Sequence, residues 1–177
     1  KNYSQMKKAT AIIQARCGST RLPNKVMADI HGRPLIIYLL ERLSMSKVID
    51  QIILATTTDH SDNELANLVE SLGIKVIRGS REDVLSRYCK VAEIINSTNY
   101  IRITGDCPLI DHRLIDKSIR TFLKNRVDYL SNTIKRTYPD GLDIEVFNKS
   151  SIIEANKKAK HPFLLEHVTP YISGKYK

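Results

Sequence analysis

A chain of 177 residues, 42% hydrophobic and 27% charged, is long enough for one domain with a real apolar core. No apolar run approaches the roughly 18 residues of a membrane span, and Cys17, Cys89 and Cys107 are too few and too scattered for a disulfide framework or a C-x-x-C zinc site. The net charge of +9 asks for an anionic partner, but Trp is absent, Phe numbers three and the lysines are dispersed, so nucleic acid is not the expected one.

Residues 1–8 are polar and lack the apolar centre of a signal peptide, which predicts a disordered leader before a domain over 9–177, in the cytoplasm. Residues 9–15 read as a buried strand that empties into a loop carrying Arg16, Arg21 and Lys25 around a single glycine, Gly18. An open α/β sheet places anionic ligands at the carboxyl ends of its strands. Three side-chain cations, with backbone N–H groups near Gly18 and Ser19, suit phosphate oxygens there. The loop matches neither G-x-G-x-x-G nor G-x-x-x-x-G-K-[ST], so cations rather than a glycine cradle would hold the phosphates. A solvated basic turn is the competing reading. Cys17 has no base beside it and reads as spacing, not as a nucleophile.

Pro34 is placed as a first-turn residue of a helix continuing through Leu43. Gln51–Thr56 is a second apolar strand. Ser61, with Glu64 three residues on, forms a capping box for a helix that Gly73 stops. Lys75–Ile77 is a short strand, and Glu82–Ile95 a helix capped by Ser80 and Asp83, whose first amides could face a phosphate or a base edge. Tyr100–Thr104 is a further strand, ending in Gly105-Asp106-Cys107-Pro108 before a helix to about Leu123. If this strand neighbours the first, Asp106 reaches the basic loop and suits Mg²⁺ bridged to phosphates; otherwise it caps the next helix.

Asp128–Ser131 and Leu142–Phe147 read as strands, the second alternating Leu142, Ile144 and Val146 against Asp143, Glu145 and Phe147. Asp143 and Glu145 on one face suit sugar hydroxyls or a metal, or are simply solvated. The apolar face needs a cover: a homodimer is expected, the main sheet being the competing cover. Ser150–Lys158 and Phe163–Tyr171 are helical, with His167 structural or substrate-facing. Strands separated by helices of this length predict βαβ units and a mainly parallel sheet.

Six motifs, in order, resemble the spore coat polysaccharide biosynthesis protein F family. They are Ala15-Arg16-x-Gly18-Ser19-Thr20-Arg21-Leu22-Pro23-x-Lys25, Ala55-Thr56, Arg78-Gly79-Ser80-x-Glu82-Asp83-Val84-Leu85-x-Arg87-Tyr88, Arg102-Ile103-Thr104-Gly105-Asp106-Cys107-Pro108-Leu109-Ile110-Asp111, Asp140-Gly141-Leu142-Asp143-x-Glu145-Val146-Phe147 and Glu166-His167-Val168-Thr169-Pro170-Tyr171. That family is similar to the sugar cytidylyltransferases that make CMP-activated keto-deoxyoctonate and sialic acid.

The resemblance implies a three-layer α/β/α nucleotide-diphospho-sugar transferase fold with a mixed, mostly parallel sheet. It implies transfer of CMP from CTP to a sugar acid or phosphorylated acceptor with release of pyrophosphate. Arg16, Arg21 and Lys25 would be the catalytic cations, Lys25 nearest the α-phosphate. Gln14, Ala15, Gly18, Ser19, Thr56, Arg78, Asp83 and Thr104 would surround the nucleotide, Asp106 would hold Mg²⁺, and Asp143, Glu145 and His167 would face the acceptor. The related synthetases carry a second metal aspartate in a Val/Ile-Asp-Thr segment near their C-terminus. No such segment occurs before Lys177, so the domain is expected to lack its C-terminal part. A glycosyltransferase of the same general fold and a silent nucleotide-binding module are the rival readings, the first weakened by the lack of an Asp-x-Asp pair.

Overall fold

The computed structural model describes residues 9–19 and 21–174; the leader expected over 1–8 lies outside them. The elements in chain order are β1 Ala9–Gln14, β2 Asp29–Ile30, β3 Arg33–Pro34, α1 Leu35–Ser44, β4 Ile49–Thr57, α2 Asn63–Ser71, β5 Lys75–Gly79 and α3 Val84–Ile94. There follow β6 Asn99–Thr104, α4 His112–Asn125, β7 Tyr129–Ser131, β8 Glu145–Asn148, α5 Lys149–Lys158 and α6 Pro162–His167, with short 3-10 turns at Lys25–Met27 and His60–Asp62.

Six strands form one sheet in the order β5-β4-β1-β6-β8-β7. The first four are parallel, while β8 runs antiparallel to both β6 and β7. The central strands are largely buried and apolar because helices cover both of their faces. On one face Ile13, Leu54, Ile101 and Val146 pack with α1, α2 and α4 through Leu39, Val69 and Phe122. On the other, Ile12, Ile53, Tyr100 and Phe147 pack with α3, α5 and α6 through Tyr88, Ile152 and Leu164. The result is the three-layer α/β/α arrangement expected. No helix among the described residues is long and apolar enough to cross a membrane.

Several boundaries move for local reasons. Pro34 lies just outside α1, paired with Asp29 in a hairpin whose two loop residues, His31 and Gly32, both have positive φ, as a type I′ turn requires. Ser61 is not the cap of α2; Asp62 precedes the helix but turns its side chain inward. The strand expected over Leu142–Phe147 begins only at Glu145, because the Asn132 side chain takes the backbone groups before it, donating to the Leu142 carbonyl and accepting from the Ile144 N–H. The main sheet is the cover of this strand: Ile144, Val146 and Phe147 are fully buried within the chain, so an uncovered strand no longer argues for a dimer. The last helix ends at His167 rather than Tyr171. Val168 there has φ 68 and ψ −61, and Thr169 N–H donates back to the His167 carbonyl at 2.8 Å, the strained form of γ-turn.

Candidate active site

The site is built at the carboxyl ends of β1 and β6, parallel neighbours with Gln14 opposite Thr104. The two chains leave the sheet side by side, and Gly105 permits it. Its N–H donates to the Gln14 carbonyl at 2.8 Å, and a Cβ in its place would stand 2.5 Å from the Ala15 Cβ. This close pass carries Asp106 to the basic loop, where its carboxylate pairs with the Lys25 ammonium. Burial pushes the Asp106 carboxyl up, but the hydrogen bond and charge of Lys25 outweigh it and hold the group below its ordinary value.

The loop that presents Lys25 is organised around Cys17, as its reading as a spacer implies. The Cys17 carbonyl accepts from the N–H groups of both Ser19 and Asn24 at 2.8 Å, and Asn24 adopts a left-handed conformation, φ 57, before the turn that aims Lys25. Asn tolerates that region better than most residues. The Cys17 thiol is pushed up to about 11 by burial and by the negative Asp62, which keeps it protonated and inert.

Asp62 is the organiser that sequence reasoning missed. Its buried carboxylate accepts from the Cys17 N–H at 2.7 Å, the Thr56 hydroxyl at 3.0 Å, and both the N–H and hydroxyl of Thr57. Burial raises its pKa, yet these donors prevail and the net shift is downward. One carboxylate thus ties the basic loop to the end of β4.

Gln14, Ala15, Arg16, Ser19, Arg21, Lys25, Asp83, Thr104 and Asp106 all line one cleft of about 690 Å³. Arg81, Arg87, Leu165 and Glu166 line it as well, from the start of α3 and from α6. Gly18 is not in the wall, but Arg81 lies over it, with Nη2 3.8 Å from where a Cβ would stand. Among the described residues Arg16 and Arg21 form no ion pair, so the cleft holds cations awaiting a counter-charge. Arg87 is held below the usual guanidinium value by burial, with the charge of Arg16 acting in the same direction.

Of the other expected site residues, Thr56, Arg78, Asp143, Glu145 and His167 do not line the cleft. Thr56 is buried against Asp62, and Arg78 donates to the carbonyls of Thr57 at 2.7 Å and Asp59 at 2.9 Å, holding the loop after β4. Asp83 lines the cleft while capping α3 through the Ser86 N–H. Asp143 pairs with Arg136 at 3.2 Å, yet its charge still helps to raise the Cys107 thiol beside Asp106, after burial as the larger cause. His167 packs at a tilt of 56° against Phe163, ring centroids 4.4 Å apart, while its neighbour Glu166 reaches the cleft.

Glu145 is buried and accepts from Arg102, from the Tyr129 hydroxyl at 2.6 Å and from the Thr169 hydroxyl. Arg102 also donates to Gln14 Oε1 through Nε and Nη2, each at 3.3 Å. A guanidinium only donates, so the Gln14 oxygen must face Arg102 and its NH₂ is left for the cleft. Glu145 therefore acts at one remove, by fixing the arginine that orients Gln14. The strained Val168 turn supplies Thr169 to the same network.

Metal ligation fits the donor set in one form only. No group of three or more His, Cys, Asp or Glu side chains gathers among the described residues, so the chain offers no cage of its own. An exposed Asp106 at the edge of a cationic cleft matches the way Mg²⁺ binds, through one or two carboxylates plus substrate phosphates and waters.

A sheet with a parallel centre, a cationic cleft at its strand ends and a carboxylate beside the cations define a nucleotidyltransferase architecture. The chain belongs to the cytidylyltransferase family, whose model matches residues 10–175. It is 45% identical over 165 residues to an uncharacterized protein of Methanocaldococcus jannaschii, covering 93% of this chain and 67% of that one. It is 37% identical to the spore coat polysaccharide biosynthesis protein SpsF of Bacillus subtilis, over 91% of this chain and 68% of that one. A solved cytidylyltransferase from Leptospira borgpetersenii superposes with a TM-score of 0.90 at 35% identity, covering 96% of this chain and 72% of the other.

Proposed function

We propose that the cleft binds CTP and transfers its cytidylyl group to an acidic or phosphorylated sugar, releasing pyrophosphate, as a step in making a surface glycan. The observation that carries this reading is the meeting of Lys25 and Asp106 at adjacent strand ends, beside Arg16 and Arg21, which form no ion pair among the described residues. An acceptor oxygen attacks the α-phosphorus in line and pyrophosphate leaves on the opposite side. Little covalent chemistry falls to the protein, so positioning and charge neutralisation supply the acceleration.

Lys25 takes up charge at the α-phosphate, Arg16 and Arg21 hold the leaving pyrophosphate, and the Gln14 NH₂ donates to an oxygen of the nucleoside. Asp106 would hold Mg²⁺, which when bound would supply charge neutralisation to the phosphates. The Lys25–Asp106 ion pair keeps both groups in place before substrate arrives. Glu166, and Asp143 near the Asp106 loop, are the acceptor-side carboxylates of this reading; Glu145 and His167 support it from behind.

A cytoplasmic location accords with the free thiols of Cys17, Cys89 and Cys107. A homodimer belongs to the same proposal, carried by the exposed Ile134 and Tyr138 of the segment before β8. The test of function is pyrophosphate release from CTP and Mg²⁺ with a panel of sugar acids and sugar phosphates. Release that needs both CTP and one acceptor class supports the reading, whereas acceptor-independent hydrolysis or preference for another triphosphate contradicts it.

A further inference from the structure

Arg87 is a fully buried cation that the mechanism above leaves unused. It is 1% exposed, sits in the first turns of α3 and lines the cleft. Its Nε and Nη1 are buried, and among the described residues neither has a hydrogen-bond partner. The fold makes room for this side chain: a Cβ on Gly79 would stand 2.8 Å from the Arg87 Cγ. A guanidinium stays charged and only donates, so two stranded N–H groups on a buried charge are costly unless something occupies them.

The two carboxylates whose charge reaches Arg87, Asp62 and Asp83, are committed elsewhere. Asp62 accepts from Cys17, Thr56 and Thr57, and Asp83 accepts from the Ser86 N–H at the start of α3. The charge of Arg16 reaches Arg87 with the same sign, and Arg81 lines the same wall. A neutral base edge or a hydroxyl would satisfy the donors but leave these charges unbalanced. An oxyanion does both, and the N-terminal turn of α3 adds its dipole at the same place.

We propose that Arg87 is a phosphate-binding residue, its buried Nε–H and Nη1–H held open for an oxygen of the nucleotide's phosphate chain, with Arg16 as its companion. This rests on the reading of the cleft as a nucleotide site and assigns to it a contact outside the basic loop.

The test is to titrate inorganic tripolyphosphate, CTP and cytidine by calorimetry into the parent chain and Arg87→Gln, and to melt both without ligand. Gln keeps much of the stem and removes the charge. Affinity for tripolyphosphate and CTP is expected to fall about tenfold or more, as loss of a charge-assisted contact would cause, while cytidine binding is unchanged. The ligand-free Tm should stay the same or rise, because an unpaired buried charge has gone. Gly79→Ala, which displaces the Arg87 stem, should weaken tripolyphosphate in the same direction and stands in if Arg87→Gln does not fold. Equal loss for cytidine and CTP would make Arg87 a base or ribose contact, and unchanged affinities with a lower Tm would make it structural; either overturns the proposal. The tripolyphosphate arm is independent of the base, so a parent that prefers UTP or GTP would refute the CTP reading without deciding the role of Arg87.

Discussion

At the scale of single residues, the side chains proposed to act are distinct from those that hold them in place. Lys25→Ala and Arg16→Ala should each lower turnover by an amount equivalent to about 2–4 kcal/mol, the cost of removing one preorganised charge-stabilising donor, while melting stays cooperative. Pyrophosphate release and a thermal melt on the same samples check both halves. Asp62 should behave in the opposite way. Asp62→Ala strands the Cys17 amide and the Thr56 and Thr57 hydroxyls, each costing about 1–3 kcal/mol where water does not reach. Because its folded pKa is depressed, Asp62 contributes stability that is complete above its unfolded value near pH 4 and is lost as pH falls through the lower folded value. Tm measured between about pH 6 and 3 should therefore decline more steeply for the parent than for Asp62→Asn.

At the scale of elements, the proposed catalysis rests on the close pass of the β1 and β6 ends. Gly105→Ala would drive a Cβ into Ala15 and to 3.2 Å from the Gln14 carbonyl oxygen. Parting the two loops should cost about 1–3 kcal/mol of stability and lower turnover further than that loss explains, which denaturant unfolding compared with initial rates would reveal. Much of this geometry was legible in the chain. An apolar run ending in Arg16 and another ending in Gly105-Asp106 identify strands whose exits carry charge, and parallel topology brings such exits to one edge.

What escaped the sequence were the polar groups turned inward. Ser61 with Glu64 satisfies the pattern of a helix cap, which hides the inward turn of Asp62. Alternation around Glu145 reads as a solvated face because nothing local announces its partners Arg102, Tyr129 and Thr169, all remote in sequence. Arg87 sits where an amphipathic helix tolerates a charge, and only the fold shows its burial. The Leu142–Phe147 pattern suggested a strand in need of a partner chain, and the cover proved to be the sheet itself.

At the scale of the whole molecule, Arg16, Arg21, Lys25, Arg81 and Arg87 meet in one cleft, and the proposed function requires a polyanion there. CTP affinity should fall with rising salt, since part of the binding is between charges that ions screen; a salt-independent Kd would mean the arginines do not meet the phosphates. Light scattering at micromolar concentration should give twice the mass of the 20.2 kDa chain if the exposed Ile134 and Tyr138 find a copy, and a single mass would remove the dimer without touching the cleft. The most direct measurement is calorimetric titration of CTP, UTP, GTP and ATP with Mg²⁺ into the parent chain and into a variant carrying Arg16→Ala and Lys25→Ala together. The account predicts that CTP binds the parent most tightly and that the double variant loses this binding while remaining folded. Indifference to the base, or CTP binding that survives both substitutions, would contradict it.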